Sequence, residues 1–124
     1  MLTDASGLIL TNGSLKCTSY TFRQLFFNQK RLEKGPETPP SIEANTNQII
    51  GIFDHMLDGC TKMESCFDNI NINASKVSSV SNTRYTCRFM FRNTKIKKMG
   101  ITYTGTRFGP AEFSYMFNNC SELN

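Results

Sequence analysis

Apolar residues recur at two different spacings along the chain, and the spacing changes near the middle. Over residues 46–65 they recur at steps of four and three, the pattern of one face of an amphipathic helix. The positions of this seam are Ile49, Phe53, Met56, Cys60 and Met63. The seam therefore predicts a helix, which packs across a sheet or also pairs with a partner helix.

The first third of the chain predicts a β-hairpin followed by the first of two helices, so that the helix over 46–65 is the second. Asn12-Gly13 separates the short segments 8–10 and 15–17, and this dipeptide favours a two-residue hairpin turn because both turn positions need positive φ. Over 21–34 the apolar residues again fall roughly on one helical face. Gly35-Pro36 then ends the predicted helix, since proline cannot continue it.

The second half of the chain alternates apolar and polar residues, which is typical of half-buried strands. The segments are 68–73, 83–92, 97–107 and 112–117. We therefore predict a single α+β domain over 1–124, with an N-terminal hairpin and two helices packed on one face of an antiparallel β-meander. The Ser-rich loop 74–82 and the tail 118–124 are expected to be flexible. No internal repeat is evident from the sequence.

Length and composition narrow the class of protein. A chain of 124 residues is long enough for one domain with its own core. Its longest apolar runs are far shorter than the roughly 20 residues that span a bilayer, and its N-terminus lacks the features of a signal peptide. Five cysteines with no Cys-x-x-Cys spacing and one histidine indicate reduced thiols rather than a disulfide framework or a zinc site. We expect a soluble intracellular protein without metal or cofactor.

Basic residues are concentrated in one stretch of the chain. The net charge is +4, but residues 69–111 carry eight basic and no acidic side chains. On the predicted strand 83–92, three arginines four residues apart share one face, and three lysines and a further arginine follow. The predicted binding residues are Arg84, Arg88, Arg92, Lys95, Lys97, Lys98 and Arg107.

Three interpretations of this basic face stay open. It is a solvated face, a docking surface for a protein partner or for self-association, or a surface that contacts the phosphates of single-stranded RNA or DNA. The primary hypothesis is a non-catalytic binding module, an accessory or structural subunit of a larger assembly. Direct nucleic-acid binding is the alternative.

One constellation resembles acid–base chemistry. Asp54, His55 and Asp58 lie within one turn of the predicted second helix. A small-ligand carrier or an enzyme built around His55 is therefore the third hypothesis. The chain has no phosphate-binding glycine loop and no calcium-loop spacing, so we assign no catalytic residue.

Overall fold

The computed structural model describes residues 2–17, 19–45, 48–79, 82–107, 109 and 112–124. These residues contain six short strands and no helix. The strands are β1 (Leu15–Cys17), β2 (Ser41–Ala44), β3 (Ile49–Ile50), β4 (Asn69–Asn73), β5 (Thr83–Arg84) and β6 (Gly100–Thr104). Every pairing between them is parallel.

The order of the strands shows how the chain winds. β1, β2, β4 and β6 lie side by side in one sheet, in the order in which they occur along the chain, and β3 pairs with β5 in a second sheet. Parallel neighbours need a long return connection, and here each connection is one circuit of the molecule. The chain is therefore a parallel β-solenoid of four stacked coils, in which each coil contacts only its neighbours.

A second side of each coil is built from consecutive tight turns instead of strands. We call this side the ladder; it comprises residues 20–28, 51–59, 85–93 and 112–119. Backbone amides connect one coil to the next: Gln24 N donates to Asp54 O at 3.0 Å, His55 N to Arg88 O at 2.9 Å, and Phe89 N to Ser114 O at 3.0 Å. Every fourth ladder residue has a positive φ, for example His55 at 55° and Gly59 at 82°.

The ladder exposes an internal repeat that the sequence analysis missed. The segments 22–32, 53–63, 87–97 and 113–123 read FRQLFFNQKRL, FDHMLDGCTKM, CRFMFRNTKIK and FSYMFNNCSEL. Within each copy the order is inward, outward, outward, inward, so the inward positions fall at i, i+3, i+4 and i+7. In the second copy these are Phe53, Met56, Leu57 and Cys60, all fully buried.

This period of four explains why both predicted helices are wrong. Inward positions at i, i+3, i+4 and i+7 are the same positions that one face of a helix would bury. The seam from Ile49 to Met63 is core in both interpretations, but its residues line the inside of a coil. All five seam side chains are fully buried, so none is available to a partner helix. Thr46, where the second helix was expected to begin, lies outside the described residues.

The predicted N-terminal hairpin and antiparallel meander are wrong as well. Residues 8–10 form no strand, and β1 pairs in parallel with β2 instead of antiparallel with its chain neighbour. Of the predicted strand 83–92, only Thr83–Arg84 is strand, and the rest belongs to the ladder. The alternation over 68–73 is confirmed: it forms β4, with Ile70 and Ile72 buried and asparagines facing outward.

The core fills the space between the sheet and the ladder. Its largest fully buried rings are Phe53, Phe67 and Phe91, surrounded by aliphatic and methionine side chains. Phe22 stacks on Phe53 at 5.6 Å between ring centroids, which joins the first coil to the second. Within the described residues, no helix is long and apolar enough to cross a membrane.

Candidate functional site: the outer face of the ladder

Outward side chains of the ladder form columns, because each coil sits directly above the previous one. One column consists of Gln24, His55, Phe89 and Tyr115. The His55 and Phe89 rings stack at 4.7 Å between centroids, and Phe89 stacks on Tyr115 at 5.1 Å with an angle of 7° between the planes. Phe27 meets His55 edge to face at 5.8 Å. From His55 to the exposed Tyr115, the column is therefore a continuous aromatic stack.

Two buried aspartates flank this stack. Asp54 and Asp58 are each 1% exposed, and each is held by an arginine from the next coil. Arg88 donates from Nε and Nη2 to Asp54, both at 3.0 Å. Arg92 donates to Asp58 at 2.9 and 2.7 Å in the same two-pronged geometry. Such paired hydrogen bonds are the strong form of an arginine–carboxylate contact.

The arginines also lie over aromatic rings. The Arg92 guanidinium is 4.1 Å from the Phe89 centroid, and the Arg88 guanidinium is 4.1 Å from the Tyr85 centroid. Cation–π contacts of this kind contribute about 0.5–2 kcal/mol each. The hydrogen bonds to Asp54 and Asp58 raise the pKa of Arg88 and Arg92, respectively, above its usual value. Both side chains are thus charged and fixed in orientation.

His55 completes the network. Its Nδ1 atom lies 2.7 Å from Asp58 Oδ2, and its Nε2 atom lies 3.7 Å from Asp54 Oδ1. The side chain is 18% exposed, and its ring is covered on one face by Phe89. The Asp54–His55–Asp58 group of the sequence analysis is therefore brought together, but each aspartate is also occupied by an arginine.

The other predicted basic residues are dispersed. Arg84 is exposed on β5. Lys95 and Lys97 line a shallow groove of about 590 Å³ together with Glu33, Lys34 and Glu64. Lys98 lies 3.8 Å from Asp68 at the surface, and Arg107 is exposed after β6. The three-arginine row on a single strand does not exist, although Arg88 and Arg92 do share an outward face because the ladder has a period of four.

Two buried thiols, Cys60 and Cys87, and a further buried acid, Glu112, lie in or next to the ladder. Burial raises the pKa of Cys60 to about 11, and its thiol donates to Phe26 O at 3.1 Å. Burial likewise raises the pKa of Cys87 and of Glu112. Glu112 is 4% exposed, and its Oε1 atom has no hydrogen-bond partner within the described part of the chain. Within the described residues, no group of three or more His, Cys, Asp and Glu side chains is arranged so that it could hold a metal ion.

The aromatic column and the Asp–Arg pairs are what sequence reasoning missed. Their signal was available in the four copies of the repeat, since aligning them places Asp54 beside Arg88 and Asp58 beside Arg92. The alignment was missed because the periodicity of each segment, taken by itself, matches a helix or a strand. The sequence matches no family model, and neither a curated protein nor a solved structure shows significant similarity to it.

Proposed function

We propose that this chain is a non-catalytic protein-binding module and that the outer face of the ladder is its docking surface. The single observation that carries the proposal is the fixed array of Arg88, Phe89 and Arg92 around the aromatic column. Arginine and aromatic side chains are enriched in protein interfaces and dominate their binding energy. Here the ion pairs and stacks already hold them in place, which lowers the entropy lost on binding.

Charge supports a protein partner over a nucleic acid. The ladder face carries Arg23, Arg88 and Arg92 against Asp54 and Asp58, so its excess is one positive charge when His55 is neutral. The Arg23 Nε atom also lies 3.6 Å from Asp54. Contact with a phosphate backbone depends on several unneutralised cations, whereas a mixed face of this kind favours a protein surface with matching charges and apolar area.

A role for His55 in acid–base chemistry finds less support. A general base needs an accessible nitrogen within reach of a substrate proton. Both ring nitrogens of His55 face carboxylates that are themselves paired with arginines. The arrangement favours a role for His55 in the stack.

The test replaces the central ring of the face. Phe89 has φ 55°, so Phe89→Gly removes the ring without straining the backbone. The wild type, Phe89→Gly and the control Asn73→Ser on the outward face of β4 are immobilised and exposed to native cell extract, and bound proteins are identified by mass spectrometry. We expect specific proteins to be retained by the wild type and Asn73→Ser and lost with Phe89→Gly. Equal retention by all three, with each variant folded by circular dichroism, would contradict the proposal.

A parallel titration separates the two binding hypotheses. Fluorescence anisotropy with labelled single-stranded RNA and DNA is measured at about 50 and about 200 mM salt. Saturable binding that weakens steeply with salt and is reduced in Arg84→Glu would favour nucleic acid. Flat anisotropy at the lower salt would leave the protein partner as the function.

A further inference from the structure

Among the described residues, all hydrogen bonds between ladder coils run in one direction. The amides of Phe22, Gln24 and Phe26 donate to carbonyls of the second coil. The second coil donates in the same way to the third, and the third to the fourth. The residues between these donors use their amides within their own coil; for example, Met56 N donates to Phe53 O at 3.0 Å. The ladder is thus polar along the stack, unlike a β-strand, whose edge carries both donors and acceptors.

This polarity leaves unlike groups at the two ends. At the first coil the carbonyls of Thr21, Arg23, Leu25 and Phe27 accept no hydrogen bond from the described residues. At the fourth coil the amides of Tyr115, Phe117 and Asn119 donate none to any described residue. One end of the ladder therefore presents acceptors, and the other presents donors at the same spacing.

Exposed apolar side chains accompany these unpaired groups. Leu25 is 47% exposed although its column neighbours Met56 and Met90 are fully buried. Ile101 on β6 is 36% exposed although its partner across the sheet, Ile70, is fully buried. Each is an inward residue of a terminal coil, and it is exposed because no further coil covers it at that end of the solenoid. β1 and β6 are also the two unpaired edges of the four-stranded sheet.

We propose that two copies of this chain associate head to tail through the ladder and the sheet, with the fourth coil of one copy stacked on the first coil of the next. Residues 33–37 of the first coil are not part of this junction, since residues 3–6 already hydrogen-bond to them. The donors of the fourth coil then meet the acceptors of the first, and β6 pairs in parallel with β1. The columns continue across the junction: Phe117 meets Phe26, Met116 meets Leu25, and Asn119 meets Asn28. Opposite Arg23 stands the uncharged Ser114, so no like charges meet at this position of the ladder.

The same geometry excludes a symmetric pairing of like ends through the ladder. Two first coils would bring carbonyl against carbonyl, and two fourth coils would bring amide against amide. Head-to-tail contacts do not close on themselves unless the rotation closes a ring. The wild-type chain is therefore expected to form a series of oligomers whose size increases with protein concentration. The ends of the solenoid that mediate this association are distinct from the outer face of the ladder, which is the proposed docking surface.

The experiment blocks one end at a time. Leu25→Lys places a charge at the first coil and Ile101→Lys at the fourth, both at exposed positions, and Lys62→Glu is the control on another side of the solenoid. Sedimentation velocity is measured from about 1 to about 200 µM, and circular dichroism verifies folding. We expect the wild type and Lys62→Glu to oligomerise and each end variant alone to be monomeric.

The decisive measurement is made on a mixture of the two end variants. Leu25→Lys retains a competent fourth coil and Ile101→Lys a competent first coil. An equimolar mixture should therefore form a 1:1 dimer, about twice the monomer mass, and stop there. A wild type that stays monomeric over the whole range would overturn the proposal. Dimerisation of either end variant by itself would show pairing of like ends and would overturn it equally.

Discussion

The strand side and the ladder side enclose the same core, but their backbones differ. On β4, residues alternate between the core and solvent, as in any strand: Ile70 and Ile72 are buried, and the asparagines between them face out. On the ladder, two inward residues alternate with two outward ones, and every fourth residue has a positive φ. The strand side therefore accepts any residue of suitable polarity, whereas the ladder requires a positive φ at one position in four.

The free-energy cost of positive φ differs between residue types. Gly51 and Gly59 adopt positive φ freely, and asparagine tolerates it well. At Tyr85, Phe89 and Tyr115 the same conformation costs about 1–2 kcal/mol per residue. Stacking between rings and contact with arginines offset this cost by comparable amounts. The ladder is thus stabilised by side-chain contacts between coils, and the sheet by its backbone and its aliphatic core.

The largest expected effect is at Gly51. Its φ is 60°, and an added Cβ would lie 2.5 Å from the ring of Tyr20. We expect Gly51→Ala to lower the free energy of unfolding by about 2–4 kcal/mol, since strain and overpacking act together. Urea denaturation followed by circular dichroism measures the change. Gly100→Ala in β6 is the matched control: its Cβ would press only on the Asn69 side chain and Asp68 O, and its cost should be at least twofold smaller.

Next in size is the removal of one buried charge. Asp58→Asn deprives Arg92 and His55 of their carboxylate, and we expect a loss of about 1–3 kcal/mol. The loss is smaller than for a fully buried pair because Arg92 is about one-third exposed and can be rehydrated. The control Asp68→Asn removes a surface contact with Lys98 and should change stability by less than about 0.5 kcal/mol. Equal losses in the two variants would refute a special role for the ladder network.

A pH dependence should arise from Glu112. Burial raises its pKa in the folded protein, so the folded state binds a proton more tightly than the unfolded state does. Its contribution to stability is therefore present at pH below the ordinary value of 4.5 and is lost as pH rises through the folded pKa. We expect Glu112→Gln to gain about 1 kcal/mol over the wild type at pH 7 and to lose this advantage near pH 4. Thermal melts at the two pH values test this, and an advantage independent of pH would contradict it.

The smallest predicted effect has opposite signs on the two sides. Gln24 is exposed on the ladder with φ 57° and makes no hydrogen bond through its side chain in the described chain. Gln24→Gly should therefore stabilise by about 0.5–1 kcal/mol, as the strain is relieved. Asn73→Gly in β4 should destabilise by about 0.5–1 kcal/mol, since glycine weakens a strand. Chemical denaturation of both variants is sufficient, and a loss at Gln24 would show that the ladder conformation carries no strain there.

Some of the structure could be predicted from the sequence. Which residues are apolar core followed from periodicity: the five residues of the seam from Ile49 to Met63 are all buried. The strand at 69–73 followed from strict alternation. The secondary structure of the seam could not be predicted in the same way, because a period-four coil and a helix bury the same positions. The local signal that distinguishes them was the glycine or asparagine at the same position of all four repeat copies, since neither residue favours a helix interior. These residues are Asn28, Gly59, Asn93 and Asn119.

The candidate site depended on tertiary structure to a greater extent. That Arg88 and Arg92 share a face followed from their spacing, but their partners stand 34 positions earlier in the chain. Those positions meet because one circuit of the solenoid at this point spans the same number of residues. Sequence by itself determined the core positions of the seam and of β4 and the place of each charge along the chain, because these are properties of single residues and short periods. Stacking of the coils alone decided the parallel order of the strands, the pairing of each aspartate with its arginine, and the unlike ends of the ladder, since each depends on contacts between segments far apart in the chain.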